Sequence, residues 1–122
     1  MFDAADPLLA RVRSIALALP GTEERIQHGR PWFCHAGGVG FAVYGSGTRG
    51  PEKVQHPHAL VVHVDAEEHP ARLQDPRFFV PAYLGPKGWL GLDVDEPDTD
   101  WTEIGELLDA SWRHAAPARL LR

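Results

Sequence analysis

Apolar residues recur along the chain at two different spacings, and these spacings predict where helices and strands lie. After Asp6-Pro7, a pair typical of a helix start, apolar residues fall three and four positions apart until Pro20-Gly21. The sequence therefore predicts a helix from about residue 7 to residue 19. A second stretch with helical spacing begins after Asp100 and ends before Pro117.

Between these two helices, shorter apolar segments with alternation or β-branched residues are typical of strands. Residues 45–58 are rich in Gly, Pro and polar residues, which predicts a mobile loop. Four segments before residue 65 are strand candidates: Thr22–Gln27, Trp32–His35, Gly40–Tyr44 and Ala59–Val64.

The remaining middle segment predicts a short helix and two more strands. The helix begins after Asp65, or later with Pro70 in its first turn, and ends near residue 74. The strands lie within residues 78–94, around a Gly-Pro-Lys-Gly turn. Hairpin-length connections favour antiparallel pairing, with the helices on one face of the sheet. With three or four strands before the short helix and two after it, we predict one domain over residues 1–122, of the two-layer α+β class, with about five strands.

Composition and charge exclude several classes of protein. The 122 residues carry a formal net charge of −5, and residues 93–109 hold eight acidic residues and no basic one. The sequence contains no block of basic residues of the kind that nucleic-acid binders usually carry. It also contains no apolar run of membrane-spanning length. The single cysteine excludes an internal disulfide, and the N-terminal segment lacks the pattern of a secretory signal. We therefore expect a cytoplasmic protein without a membrane partner.

Candidate catalytic and metal-binding residues are few. Seven histidines include His56, His58 and His63, which are close in sequence, but no spacing matches a known zinc pattern. Cys34 and His35 are adjacent, so their side chains point to opposite faces of a strand and do not form a nucleophile–base pair. The sequence thus predicts no catalytic set, no metal site and no cofactor, and the protein is expected not to be an enzyme.

Two segments combine aromatic side chains with basic ones, namely residues 28–33 and residues 79–94. In the second segment, alternation places Leu90 and Leu92 on the core face and Trp89 on the other face. Trp89 is therefore predicted to point away from the core, toward solvent or a partner. Alternation leaves open which way Trp32 and Tyr83 face.

Six segments, in order along the chain, carry a family likeness: Ala18–Glu24, His28–Phe33, Gly40–Ala42, Asp75–Phe79, Pro81–Trp89 and Ser111-Trp112. In these segments the chain resembles the MmcQ/YjbR family of small bacterial proteins. That resemblance implies an α-β3-α-β2-α two-layer fold and a DNA-binding role with a double-wing arrangement. In many members a lysine precedes the Phe41-Ala42 pair, but the turn of this chain has none, which removes a positive charge from a wing tip.

Two functions follow as hypotheses. In the first, the protein is a binding module that contacts DNA or another polyanion weakly and with strong salt dependence. In the alternative, the aromatic surface around Trp89 binds a small molecule or a protein, without a nucleic-acid role. The candidate residues are Arg30, Arg77 and Lys87 for phosphates, and Trp32, Tyr83 and Trp89 for stacking.

Overall fold

The computed structural model describes residues 2–48 and 53–116, which fold into an α+β structure around a six-stranded antiparallel sheet. The strand order across the sheet is β1-β2-β3-β4-β6-β5. The helices are α1 (Pro7–Leu17), α2 (His69–Gln74) and α3 (Trp101–Ala115). The strands are β1 (Thr22–Gln27), β2 (Arg30–His35), β3 (Gly40–Gly47), β4 (Gln55–His63), β5 (Phe78–Phe79) and β6 (Trp89–Asp93).

The long helices begin where the sequence predicts, because local capping fixes their first turns. The side chain of Asp6 accepts a hydrogen bond from the backbone N–H of Leu8, and Pro7 occupies the first turn of α1. The side chain of Asp100 accepts from two backbone N–H groups at the start of α3. Helix α1 ends at Leu17, two residues before its predicted end.

The strand count differs from the prediction of about five strands. Four strands precede α2, so the described chain has the order α-β4-α-β2-α instead of α-β3-α-β2-α. Strands β3 and β4 also extend into residues 45–58, where we expected a loop, because Ser46 pairs with His56 and Gly47 with Gln55. Residues 49–52 of that predicted loop lie outside the described residues.

Side chains on one face of the sheet form the main core with α1 and α3. Phe33, Ala42, Val62 and Leu90 lie side by side across four paired strands and are all fully buried. Against them pack buried apolar residues of both long helices, such as Leu9 and Val12 of α1 and Ile104 and Leu108 of α3. No helix in the described chain is long and apolar enough to cross a membrane.

The opposite face carries a second, smaller apolar cluster. Trp32, Val43 and Val61 form one row across β2, β3 and β4, and Trp89 and Leu84 pack beside them. Trp89 does point away from the main core, as alternation predicted. The expectation that it faces solvent was wrong, because it is only 9% exposed. The segment before β6 folds back, with the N–H of Trp89 donating to the carbonyl of Leu84, so that Leu84 helps to cover the ring.

Candidate functional site

A groove of about 870 Å³ lies over the smaller cluster, on the face of the sheet opposite the main core. Trp32, Val43 and Val61 are among its lining residues and form its apolar floor. Residues 82–87 form one wall of the groove. The N–H of Ala82 donates to the carbonyl of Gly47 at 2.9 Å and so connects this wall to the end of β3. The volume is within the range of small-ligand sites.

Basic side chains line this groove, and no acidic residue of the described chain does. Arg30 at the start of β2, Lys53 before β4 and Lys87 before β6 come from three separate parts of the sequence. Lys53 and Lys87 are the only lysines in the chain. In a protein of net charge −5, the groove is therefore a local region of positive charge.

These basic groups differ from the other described arginines in their partners. Among the described residues, Arg30, Lys53 and Lys87 form no ion pair, whereas five arginines elsewhere do. Arg11 lies over the ring of Trp101. The ion pairs are Arg13 with Glu24, Arg25 with Glu23, Arg72 with Glu103, Arg77 with Asp75 and Glu103, and Arg113 with Asp109. Apart from Arg11, the basic side chains of residues 2–48 and 53–116 that form no ion pair are thus gathered at the groove.

The backbone of β3 makes room for the guanidinium of Arg30. Gly45 has φ +88°, and a Cβ at that position would lie 2.5 Å from Nη1 of Arg30. Such a distance is much shorter than any normal contact, so the guanidinium occupies space that only a glycine leaves open. The same glycine also provides the left-handed conformation at the irregularity between Tyr44 and Ser46.

Two groove residues have a backbone conformation that is uncommon for their type. His28 has φ 53° and Tyr83 has φ 67°, and no other non-glycine residue in the described ranges has positive φ. Both line the groove, and Tyr83 is 75% exposed. Strained residues of this kind concentrate at functional sites, because their conformation serves a purpose other than stability.

The structure brings together four of the six predicted site residues. Arg30, Trp32, Tyr83 and Lys87 all line the groove. Trp89 lies behind the lining and packs edge-on against Trp32, with ring centroids 6.0 Å apart.

Arg77 is not part of this groove. Its guanidinium contacts Asp75 and Glu103, whose hydrogen bonds raise the arginine pKa further, and it lines a different hollow of about 300 Å³. Five acidic residues of the 93–109 segment also line that hollow and oppose phosphate binding there: Asp93, Glu96, Asp98, Asp100 and Glu103. Asp75, two residues before Arg77, and the acidic segment 93–109 were signals in the sequence against Arg77 as a phosphate contact.

Sequence reasoning missed His28 and Lys53 as groove residues. His28 lies next to Gly29 in the turn between β1 and β2, and its positive φ has no signature in the sequence. Lys53 lies within residues 45–58, a segment that was predicted only as a loop. The only signal in the sequence was that Lys53 is one of two lysines in the chain.

Four of the residues weighed as nucleophiles or metal ligands, namely Cys34, His35, His56 and His58, do not form a nucleophile–base pair or a metal site with one another. Cys34 is 1% exposed, and burial raises the pKa of its thiol, which disfavours a reactive thiolate. His35 is also buried, and its Nε2 donates to the carbonyl of Trp112. His56 pairs with Asp93 and His58 with Asp6, so the histidines that are close in sequence do not converge.

A family model described as YjbR matches residues 17–114. Because this match spans most of the chain, the protein belongs to the YjbR family, as the resemblance implied. The chain matches no curated protein and no solved structure. The chemistry of the groove therefore rests on the contacts described above.

Proposed function

We propose that this protein is a non-enzymatic module that binds nucleic acid in the basic groove. One observation carries the proposal: Arg30, Lys53 and Lys87 converge on one concave surface without carboxylate partners in the described chain. Lysine and arginine side chains that lack counter-ions favour phosphate oxygens. The DNA-binding role implied by the family resemblance makes nucleic acid the first ligand to test.

The shape of the groove favours a single strand over a duplex. A duplex is a convex cylinder that is contacted by protruding elements, whereas this surface is a hollow about as large as a small-ligand site. A single strand can place a base in such a hollow and its phosphates at the rim. Half-buried Trp32 and exposed Tyr83 offer ring surfaces of the kind on which bases stack.

A titration of labelled oligonucleotides tests this proposal. We expect saturable binding of a 20-nucleotide single strand by fluorescence anisotropy, and weaker binding of the matching duplex. Three phosphate contacts on a single strand correspond to a slope of about −2 in log affinity against log salt, or roughly 20-fold between 50 and 200 mM. No binding of either oligonucleotide at 50 mM salt would rule out the nucleic-acid function.

The same groove supports a second candidate, a small anionic molecule with an aromatic or apolar part. The observation in its favour is the volume of about 870 Å³ above an apolar floor. A mononucleotide serves as the probe in a competition experiment. If it displaces the labelled strand at the concentration at which the strand itself binds, the ligand is small. If displacement needs far more mononucleotide, several contacts along a strand contribute.

Replacing Tyr83 with Gly is expected to weaken binding while the fold stays stable. Glycine accepts positive φ without strain, so we expect the free energy of unfolding to change by less than about 1 kcal/mol. Loss of a stacked ring costs about 1–3 kcal/mol of binding, or roughly 5- to 150-fold in affinity. Anisotropy and urea unfolding measure the two quantities.

Val39→Ala is the control for Tyr83→Gly, because it removes a 66%-exposed side chain that does not line the groove. We expect Val39→Ala to leave both the binding affinity and the free energy of unfolding nearly unchanged. Unchanged affinity in Tyr83→Gly would mean that the ring does not stack on the ligand.

A further inference from the structure

Three side chains from distant parts of the sequence meet at one end of the sheet. His63 ends β4, Asp65 follows it by two residues, and His114 lies in the last turn of α3. Each offers one ligand atom, and these atoms all lie within 4.8 Å of one another. The imidazole rings of His63 and His114 stack with centroids 3.9 Å apart, and His114 Nδ1 is 3.5 Å from Asp65 Oδ1.

The surroundings of His63 hold its ring in place. Its backbone N–H donates to Ser111 Oγ, its ring meets the edge of Trp89, and a Cβ on Gly88 would lie 3.3 Å from its Nε2. Its Nδ1 is buried and has no hydrogen-bond partner among the described residues. An unsatisfied buried nitrogen is costly in a folded protein, so this ring retains coordinating capacity that the chain itself does not use.

We propose that His63, Asp65 and His114 bind a divalent first-row transition ion such as Zn²⁺. Two imidazole nitrogens and one carboxylate oxygen suit zinc, whereas Ca²⁺ and Mg²⁺ prefer sets made of oxygen alone. Three protein ligands leave the fourth tetrahedral position to water. This site is independent of the nucleic-acid groove.

The ligand atoms must approach one another for tetrahedral binding, because zinc–ligand distances near 2.1 Å place neighbouring ligand atoms about 3.4 Å apart. The two outer side chains have room to do so, since Asp65 is 65% exposed and His114 is 50% exposed. His63 is the fixed member. A bound ion would link the last turn of α3 to the end of β4, two elements that are far apart in sequence.

Calorimetric titration of zinc chloride into the metal-free full chain tests the site. We expect one zinc ion per chain, and a melting temperature that rises by roughly 5–10 °C at saturating zinc. His114→Ala and Asp65→Asn are each expected to weaken zinc binding at least about tenfold and to abolish most of the thermal shift. Both replaced side chains are exposed, so the variants should fold, which circular dichroism checks.

Two neighbouring replacements serve as matched controls. Arg113→Ala changes the exposed residue next to His114 on α3, and Glu67→Gln removes an exposed carboxylate two residues after Asp65. Both should bind zinc as the unmodified chain does, and magnesium chloride should give no heat of binding. Absence of zinc binding by the unmodified chain would overturn the proposal. Zinc affinity in His114→Ala and Asp65→Asn equal to that of the unmodified chain would also overturn it, because the zinc would then bind at other residues.

Discussion

Replacing Asp6 with Ala is expected to lower the free energy of unfolding by about 3 kcal/mol. The carboxylate is 7% exposed and connects α1 to the sheet. Oδ1 accepts from the N–H of Leu8 at 2.9 Å, while Oδ2 accepts from the hydroxyl of Tyr44 at 2.6 Å and from Nδ1 of His58 at 2.8 Å. The variant loses a helix cap and also leaves the buried Tyr44 hydroxyl without its carboxylate partner.

Urea unfolding at pH 7 measures this effect, with Asp3→Ala as the matched control. Asp3 is exposed, and its carboxylate accepts from the N–H of Ala5 alone among the described contacts. We expect the control to lose less than about 0.5 kcal/mol, as is usual for a surface change. A loss below 1 kcal/mol in Asp6→Ala would mean that water replaces the carboxylate without penalty, and that the three contacts do not stabilise the fold.

The effect of Asp6→Ala should also depend on pH in a defined direction. Burial raises the pKa of Asp6, but hydrogen bonds from Tyr44, Leu8 and His58, with the charge of His58, outweigh it and hold the pKa below its usual 3.8. Since the folded pKa lies below the unfolded one, the ionised carboxylate stabilises the fold above pH 3.8, and this stability is lost as pH falls through the folded pKa. The difference in free energy of unfolding between the unmodified chain and Asp6→Ala should therefore become smaller below about pH 4.

The starts of α1 and α3 were predictable because their causes are local, whereas α2 has no side-chain cap and begins at His69, later than a start directly after Asp65. The Asp6-Pro7 and Asp100 caps act within three residues of themselves, and both are in the structure. The end of β3 and the start of β4 were not predictable, since Gly47 pairs with Gln55 across residues 48–54, whose sequence shows no alternation. The hydrogen-bonded pairing of β3 with β4 determines these strand ends, and the local sequence pattern does not.

Trp89 separates what alternation can predict from what it cannot. The period of two correctly assigned its side chain to the face opposite Leu90 and Leu92. It carries no information about a covering segment, and the turn that brings Leu84 over the ring contains Pro and Gly without any apolar period. Burial on the second face of a sheet therefore depends on tertiary structure.

The candidate site was predictable only in part, for the same reason. Arg30 and Lys87 were named from motifs, yet nothing in the sequence placed them beside Lys53 on one groove. The grouping of His63 with His114 was equally hidden, because proximity in sequence pointed instead to His56 and His58. Convergence of side chains from separate strands is a property of topology, which single-sequence patterns do not specify.

Replacing Arg30, Lys53 and Lys87 together with Ala is expected to weaken single-strand binding by roughly 100- to 1000-fold at 50 mM salt. Each lost phosphate contact removes about 0.7 from the slope of log affinity against log salt, so the slope of about −2 should approach zero. The three side chains have no ion-pair partner to lose among the described residues, so we expect the fold to remain intact. Anisotropy titrations at four salt concentrations measure both quantities.

A second triple variant, with Arg11, Arg77 and Arg113 replaced by Ala, lowers the net charge by the same three units outside the groove. These arginines line no part of the groove, and each already contacts an aromatic ring or a carboxylate. If the groove binds the strand, this control should lose only a few-fold in affinity and keep its salt slope. Equal losses in the two triples would assign binding to overall charge. Unchanged affinity in both would mean that none of these six basic side chains contributes to binding, and would contradict the proposal that the groove holds the strand by its phosphates.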